Sequence, residues 1–332
     1  MGDHLQLVLP EPIVPVQSLS DSGRLSHIPE RYIIHPSDRP SDIPHIATFS
    51  DDAGTANIPV IDLEGLRSGD ARERTEILER VAAACRDWGF FQVVNHGVSL
   101  ELMDAAREVC RLGIEKDAVL NWSDYYFLHY LPPSLKDYQK WPALPTSCRE
   151  EIDEYGKQVV ALAGRIMRIM STNLGLNEDS LQDAFRGDDI GACLRVNFYP
   201  KCPQPDLTLG LSSHSDPGGI TLLLPNSNVA GLQVRRGHDW ITIMPATHAF
   251  IVSMGDQIQI LSNGIYKSVE HRVIVNSSDE RISLAFFYNM RANIPIGSVK
   301  ELVTYERPAL YDRMTFDEYR KWIRLRGPKI PS

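Results

Sequence analysis

The chain has 332 residues, 43% of them hydrophobic and 23% charged, the balance of an ordinary globular protein with room for one large core and an attached helical part. A formal net charge of −9 argues against nucleic acid or an anionic membrane surface as a partner, and no apolar run is long enough to span a bilayer. Five scattered cysteines, Cys85, Cys110, Cys148, Cys193 and Cys202, are odd in number and fit reduced thiols in a cytoplasmic protein, not a disulfide framework.

Residues 1–57 are rich in Pro, Ser and Asp and read as a surface arm, with short ordered pieces expected around 14–19 and 28–33. Met1-Gly2-Asp3-His4 shows no signal pattern, and Gln6 stands where myristoylation wants Ser or Thr. Residues 58–190 form a mixed α/β region that we expect to pack on a barrel formed by the later strands. It opens with a strand over 58–63 and a helix over 71–88, in which Ile77, Val81, Ala84, Cys85 and Trp88 make one stripe and Gly89 ends the helix. A continuous apolar strand over 90–94 comes next. His96, just before Gly97, reads as a satisfied loop histidine and not a metal ligand. Ser99 is placed to cap a second helix running to about Arg111. Residues 121–130 carry aromatics on both faces of a strand, one face lining a pocket. Ser147 and Glu150 have the spacing of a capping box. The long helix beyond them, with Ile152, Tyr155, Val159, Leu162, Ile166 and Ile169 three and four apart, ends at Leu174-Gly175.

Over 191–290 the pattern changes to short strands between turns, at 194–199, 220–224, 232–235, 240–244, 249–254, 268–275 and 282–288. That pattern predicts a jelly-roll barrel of the cupin kind, hence a mixed α/β fold with flanking helices. Residues 291–332 close the chain. A helix over 314–326, with Phe316, Tyr319, Trp322 and Ile323 as its apolar stripe, is expected over the barrel mouth.

The chemistry concentrates in this barrel. His214 and Asp216 are two positions apart, so in a strand they share a face, and His271 returns beside them later in the chain. Two imidazoles and one carboxylate are the triad that suits non-haem Fe(II), with positions left open. Arg281 and Ser283 share a face in the same way, and a guanidinium with a hydroxyl is suited to a carboxylate. Asn197 and Tyr199 are a third such pair. A lone His-x-Asp is a weak signal; the ordered set Asn-x-Tyr-Pro, His-x-Asp, His, Arg-x-Ser is a far stronger one.

With these motifs, Asn57-Ile58-Pro59-Val60-Ile61-Asp62-Leu63 and Trp88-Gly89-Phe90-Phe91-Gln92-Val93-Val94-Asn95-His96-Gly97, the chain resembles the plant 2-oxoglutarate- and Fe(II)-dependent dioxygenases over nearly its whole length. The resemblance implies a double-stranded β-helix core and a catalytic Fe(II) on His214, Asp216 and His271. It implies 2-oxoglutarate chelating that iron, with its far carboxylate on Arg281 and Ser283, the Tyr199 hydroxyl alongside and Asn197 near the metal. O2 would be consumed with release of succinate and CO2, and ascorbate would support activity. The arm, the Trp122-Ser123-Asp124-Tyr125-Tyr126-Phe127-Leu128-His129 run and the C-terminal half resemble the jasmonate-induced oxygenases. That implies a monomer that hydroxylates jasmonic acid to 12-hydroxyjasmonate and so lowers a plant defence hormone. Phe127 and Phe287 are then candidates for an apolar wall. Arg195 and Arg320 are candidates for the carboxylate clamp, with Arg324 a near alternative. The runner-up is a flavonoid oxidase of the flavonol or anthocyanidin synthase type. A hormone-binding protein that has lost catalysis is a third reading, against which the complete set of metal and co-substrate residues speaks. The chain departs from the family at one point. Members carry a further helical turn or two and a flexible loop where Arg111 here runs straight into Leu112; either that segment is deleted or a mobile loop over the site lies there, and we expect the second, with a break in the backbone between these two residues.

Overall fold

Short strands separated by turns do assemble into sheets that close around a cavity. The computed structural model describes residues 15–21, 25–40, 57–112, 117–118, 121–142, 146–187, 189–226 and 229–326. In chain order the elements are α1 (Val16–Asp21), β1 (Val60–Asp62), α2 (Ala71–Asp87), β2 (Phe90–Val94), α3 (Leu100–Leu112), β3 (Asp117–Ala118) and β4 (Asp124–Leu131). There follow α4 (Cys148–Asn173), α5 (Ser180–Ala184), β5 (Gly191–Tyr199), β6 (Leu211–His214), β7 (Ile220–Pro225), β8 (Leu232–Arg236) and β9 (Asp239–Thr242). The last are β10 (Phe250–Met254), α6 (Asp256–Leu261), β11 (His271–Val273), β12 (Arg281–Asn289), β13 (Pro295–Ile296), β14 (Met314–Thr315) and α7 (Phe316–Arg326).

An eight-stranded sheet runs β1-β2-β10-β7-β12-β5-β4-β3, and a four-stranded sheet runs β6-β11-β8-β9. All pairs are antiparallel except β1 with β2. Residues of both sheets line one cavity, which is the jelly-roll arrangement. The period of two decides which side chains enter the core behind the large sheet. In β4, Tyr126, Leu128 and Tyr130 are buried, whereas Phe127 and His129 alternate with them and are exposed. The 26-residue α4 lies behind the large sheet, its buried stripe of Ile152, Tyr155, Val159, Leu162 and Ile166 sharing one core with β4, β5, β7 and β12. Each such side chain contributes about 1.5–3 kcal/mol of burial. Gly156 lets the helix come close: a Cβ there would lie 2.3 Å from the Tyr130 ring.

Three details differ from the sequence expectation. Helix α3 continues through Arg111 and Leu112, so the backbone has no break there. Its buried residues Met103, Ala106, Val109 and Cys110 hold it to its last turn, and Arg111 pairs with Glu280. Ser147 stands at the N-cap of α4, but with helical dihedrals (φ −76°, ψ −13°) and no capping bond from its side chain. The capping box fails because an N-cap hydroxyl reaches the first amides from an extended backbone, not a helical one. The strand expected over 268–275 contracts to β11, whose pairing with β6 shifts register between His271 and Val273.

A single carboxylate caps the first helix of the arm. Asp124 is fully buried at the start of β4, and its two oxygens accept the amides of Val16 (3.0 Å) and Gln17 (2.8 Å), the first two residues of α1. It acts as an N-cap supplied from far along the chain. Val16, Ile28 and Tyr32 then pack in a second core with Trp122, Tyr199 and Val273. Asp124→Ala is expected to cost about 1–3 kcal/mol, because it strands two N–H donors, one buried and one partly buried. Limited proteolysis should then cut within residues 15–40 at a rate the wild type does not show. Among the described residues no helix is long and apolar enough to cross a membrane.

Candidate active site

Strand β6 ends at His214, so Asp216 lies past its end, in the turn to β7. The two do not meet by strand alternation, as the spacing suggests, but because that turn is folded back onto the start of α6. Gly255, Asp256 and Gln257 donate their amides to the carbonyls of Gly219 (2.7 Å), Asp216 (2.8 Å) and Gly218 (2.9 Å). The approach is so close that a Cβ on Gly255 would sit 2.2 Å from the Gly218 carbonyl oxygen.

His271 on β11 lies directly opposite His214 on β6, with ring centroids 4.3 Å apart. Asp216 Oδ1 stands 3.9 Å from His214 Nε2 and 3.7 Å from His271 Nε2. Ligand atoms of all three lie within 4.8 Å of one another. Each group is turned by its neighbours. His214 Nδ1 donates to the Ser212 carbonyl (2.8 Å) and His271 Nδ1 to that of Val269 (3.2 Å), which leaves both Nε2 lone pairs free. Asp216 Oδ2 accepts the hydroxyls of Thr221 (2.6 Å) and Ser253 (3.0 Å), which leaves Oδ1 toward the imidazoles. Burial, reinforced by the neighbouring His271, pushes the His214 pKa down to about 4, so the ring is neutral and able to bind metal at neutral pH. Burial alone raises the Asp216 carboxyl, but His271, His214 and the two hydroxyls outweigh it, and the net shift is downward. Phe90 packs edge-on against His271 at 5.3 Å. Two imidazoles and a carboxylate with converging free atoms fit a divalent first-row metal such as Fe(II).

Across the cavity, β12 and β5 are in register, with Arg281 opposite Tyr199 and Ser283 opposite Asn197. All four line the same cavity as His214, Asp216 and His271. Arg281 is 3% exposed, and its Nε and Nη1 are buried with no hydrogen-bond partner. Burial pulls its pKa below the usual guanidinium value, while Tyr199 beside it acts in the opposite sense. Gly231 makes room, since a Cβ there would lie 3.0 Å from Arg281 Cδ. A buried cation with orphaned donors is costly until a ligand's carboxylate takes them up. These donors fit the distal end of a dicarboxylate.

The candidate substrate residues divide. Arg195 and Phe287 line the cavity. Phe127, 43% exposed, stacks on Phe287 with centroids 6.1 Å apart and planes at 11°. Arg320 is not among the cavity-lining residues; it pairs with Asp317 (2.7 Å) on α7 and lies over the Phe316 ring. Its charge nonetheless acts on the thiol of Cys193, which faces Phe287 across β5 and β12. The Arg324 side chain lies outside the described residues. His96 is the satisfied loop residue its position suggests, accepting the Val98 amide and bonded to the His248 carbonyl.

Thr221, Ser253, Gly255 and Asp256 belong to the site without any sequence signal of their own. Asp256 is buried, with its carboxyl raised to about 6 by desolvation. Its Oδ2 accepts both Ser215 Oγ (3.2 Å) and the Tyr319 hydroxyl (2.7 Å), tying α7 to the turn that carries Asp216.

Residues 190–290 match the 2OG-Fe(II) oxygenase superfamily, and residues 58–112 match the non-haem dioxygenase in morphine synthesis N-terminal family. The chain is 58% identical to Jasmonate-induced oxygenase 2 of Arabidopsis thaliana over 97% of this chain and 92% of that protein. It is 56% identical to Jasmonate-induced oxygenase 1 of the same plant, over 97% and 86%. Among solved structures it is similar to JOX2 in complex with 2OG, Fe and JA, with a TM-score of 0.84, 56% identity and coverage of 97% of this chain and 96% of that one.

Proposed function

The chain belongs to the 2OG-Fe(II) oxygenase superfamily, and from that premise we propose that it hydroxylates jasmonic acid, the compound held by JOX2. It is a 2-oxoglutarate-dependent dioxygenase that works with Fe(II). His214, Asp216 and His271 would hold the iron, and Arg281, Ser283, Tyr199 and Asn197 the 2-oxoglutarate. Bound iron, co-substrate and O2 supply the oxidising chemistry that turns a C–H bond into C–OH.

The protein's own part is to hold, orient and exclude water. The carbonyls of Ser212 and Val269 keep the imidazoles in the tautomer that presents Nε2. Thr221 and Ser253 aim the carboxylate. Leu223, Leu232, Ile251 and Val273 line the cavity floor with apolar surface that keeps water away from the reacting groups. Phe127 and Phe287 offer a flat apolar wall to a ring and its hydrocarbon tail.

The observation that carries the reading is Arg195. It is a cation inside this cavity with no carboxylate partner among the described residues, and its Nε is buried without a hydrogen bond. A monocarboxylic acid with an apolar body satisfies both the cation and the wall. The test is incubation with Fe(II), 2-oxoglutarate, ascorbate and jasmonic acid. The expected result is succinate and a product heavier by one oxygen. Turnover of naringenin or a dihydroflavonol with none of jasmonic acid would overturn it. So would tight binding of jasmonic acid without succinate release.

A further inference from the structure

Arg195 does not stand free in the cavity; something holds it. Its guanidinium carbon lies 4.1 Å from the centroid of the Tyr125 ring. Tyr125 is on β4, one strand further out than Arg195, and faces Asn197 across the β4–β5 ladder while Phe127 faces Arg195. The alternation of β4 therefore puts Tyr125 and Phe127 on one side, with the Tyr125 ring against the cation. Tyr125 is not among the cavity-lining residues, whereas Arg195 is, together with the His214, Asp216 and His271 cluster.

A guanidinium stacked on an aromatic face keeps its N–H edge in the plane of the fork, free for a bidentate carboxylate. A flexible arginine without such a plate would lose that direction and give up more rotamer freedom on binding. We propose that Tyr125 is a positioning residue: it fixes the Arg195 fork toward the cavity and so sets the enzyme's preference for a free carboxylic acid over its uncharged ester. The proposal rests on jasmonic acid being the substrate, and it adds a residue that touches neither substrate nor metal.

The experiment compares jasmonic acid with its methyl ester in wild type, Tyr125→Leu and Tyr125→Phe. In Tyr125→Leu, kcat/KM for the acid should fall roughly tenfold, mostly through KM, the scale of a partly desolvated cation–π contact. Turnover of the ester should not change, and KM for 2-oxoglutarate should stay at its wild-type value, which shows that the barrel and the Arg281 end are intact. Tyr125→Phe keeps the ring and should restore the preference for the acid. An unchanged acid-to-ester ratio in Tyr125→Leu overturns the proposal while leaving the substrate reading in place. A wild type inactive on jasmonic acid overturns both. Equal losses for acid and ester mark Tyr125 as a structural residue only and likewise reject the role.

Discussion

Asp216→Ala is expected to lower turnover by on the order of a thousandfold or more, equivalent to about 4 kcal/mol. The reason is the division of labour within that carboxylate. Oδ2 is occupied by Thr221 and Ser253, and Oδ1 is the atom that faces both imidazoles. Alanine removes the one carboxylate donor of the cluster and leaves two imidazoles, which hold a divalent cation poorly on their own. Anaerobic titration with Fe(II) should raise the melting temperature of the wild type, by mass action on the folded state, and leave that of Asp216→Ala unmoved. Thr221→Val gives a graded counterpart. It keeps every ligand atom and removes only one of the two hydroxyls that aim the carboxylate, so iron affinity should drop by roughly 10–100-fold. Wild-type turnover in Asp216→Ala would refute the assignment of the metal centre outright. A Thr221→Val variant with unchanged iron affinity would leave the centre standing and refute the aiming role.

These residues differ in how plainly the sequence announces them. Asn197 with Tyr199 and Arg281 with Ser283 are legible because strand side chains alternate, so a spacing of two means a shared face. The register adds only that the two pairs stand opposite each other. His214 and Asp216 are legible as a motif, but for a different reason than the spacing suggests. The strand stops at His214, and the turn after it is placed by the amides of Gly255, Asp256 and Gln257, far away in sequence. Nothing local marks Gly255, whose backbone is extended and open to any residue; only the neighbouring Gly218 carbonyl excludes a side chain. Thr221, Ser253 and Asp256 escape notice likewise, because hydroxyls and carboxylates that hold another side chain have no periodicity. The Ser147–Glu150 pattern errs in the opposite direction: a correct local spacing is overridden by the backbone conformation that the packed helix imposes. Tyr125 lies between these cases. Its place on the same side of β4 as Phe127 follows from alternation, but its partner on β5 becomes visible only once the register is known.

Arg281→Leu should raise KM for 2-oxoglutarate by on the order of a hundredfold, about 3 kcal/mol, the scale of a charge-assisted pair lost from a buried site. Its kcat at saturating co-substrate should stay near the wild-type value. On the proposed reading the guanidinium would hold a carboxylate that does not react, and so would stabilise the ground state and the transition state equally. The sharper expectation concerns stability. Burial depresses the Arg281 pKa, which means that the folded chain holds this charge less comfortably than water does. Its Nε and Nη1 have no hydrogen-bond partner. Removing it therefore costs the unliganded protein little, and the leucine variant should melt at or above the wild-type temperature while binding its co-substrate poorly. Arg281→Lys separates charge from geometry: it keeps a cation but loses the planar fork, so its KM should fall between the two. Thermal melts with and without 2-oxoglutarate, alongside KM, check all three proteins at once. An Arg281→Leu variant that melts well below wild type yet keeps its affinity would show that the guanidinium supports the barrel and leaves the co-substrate to other groups.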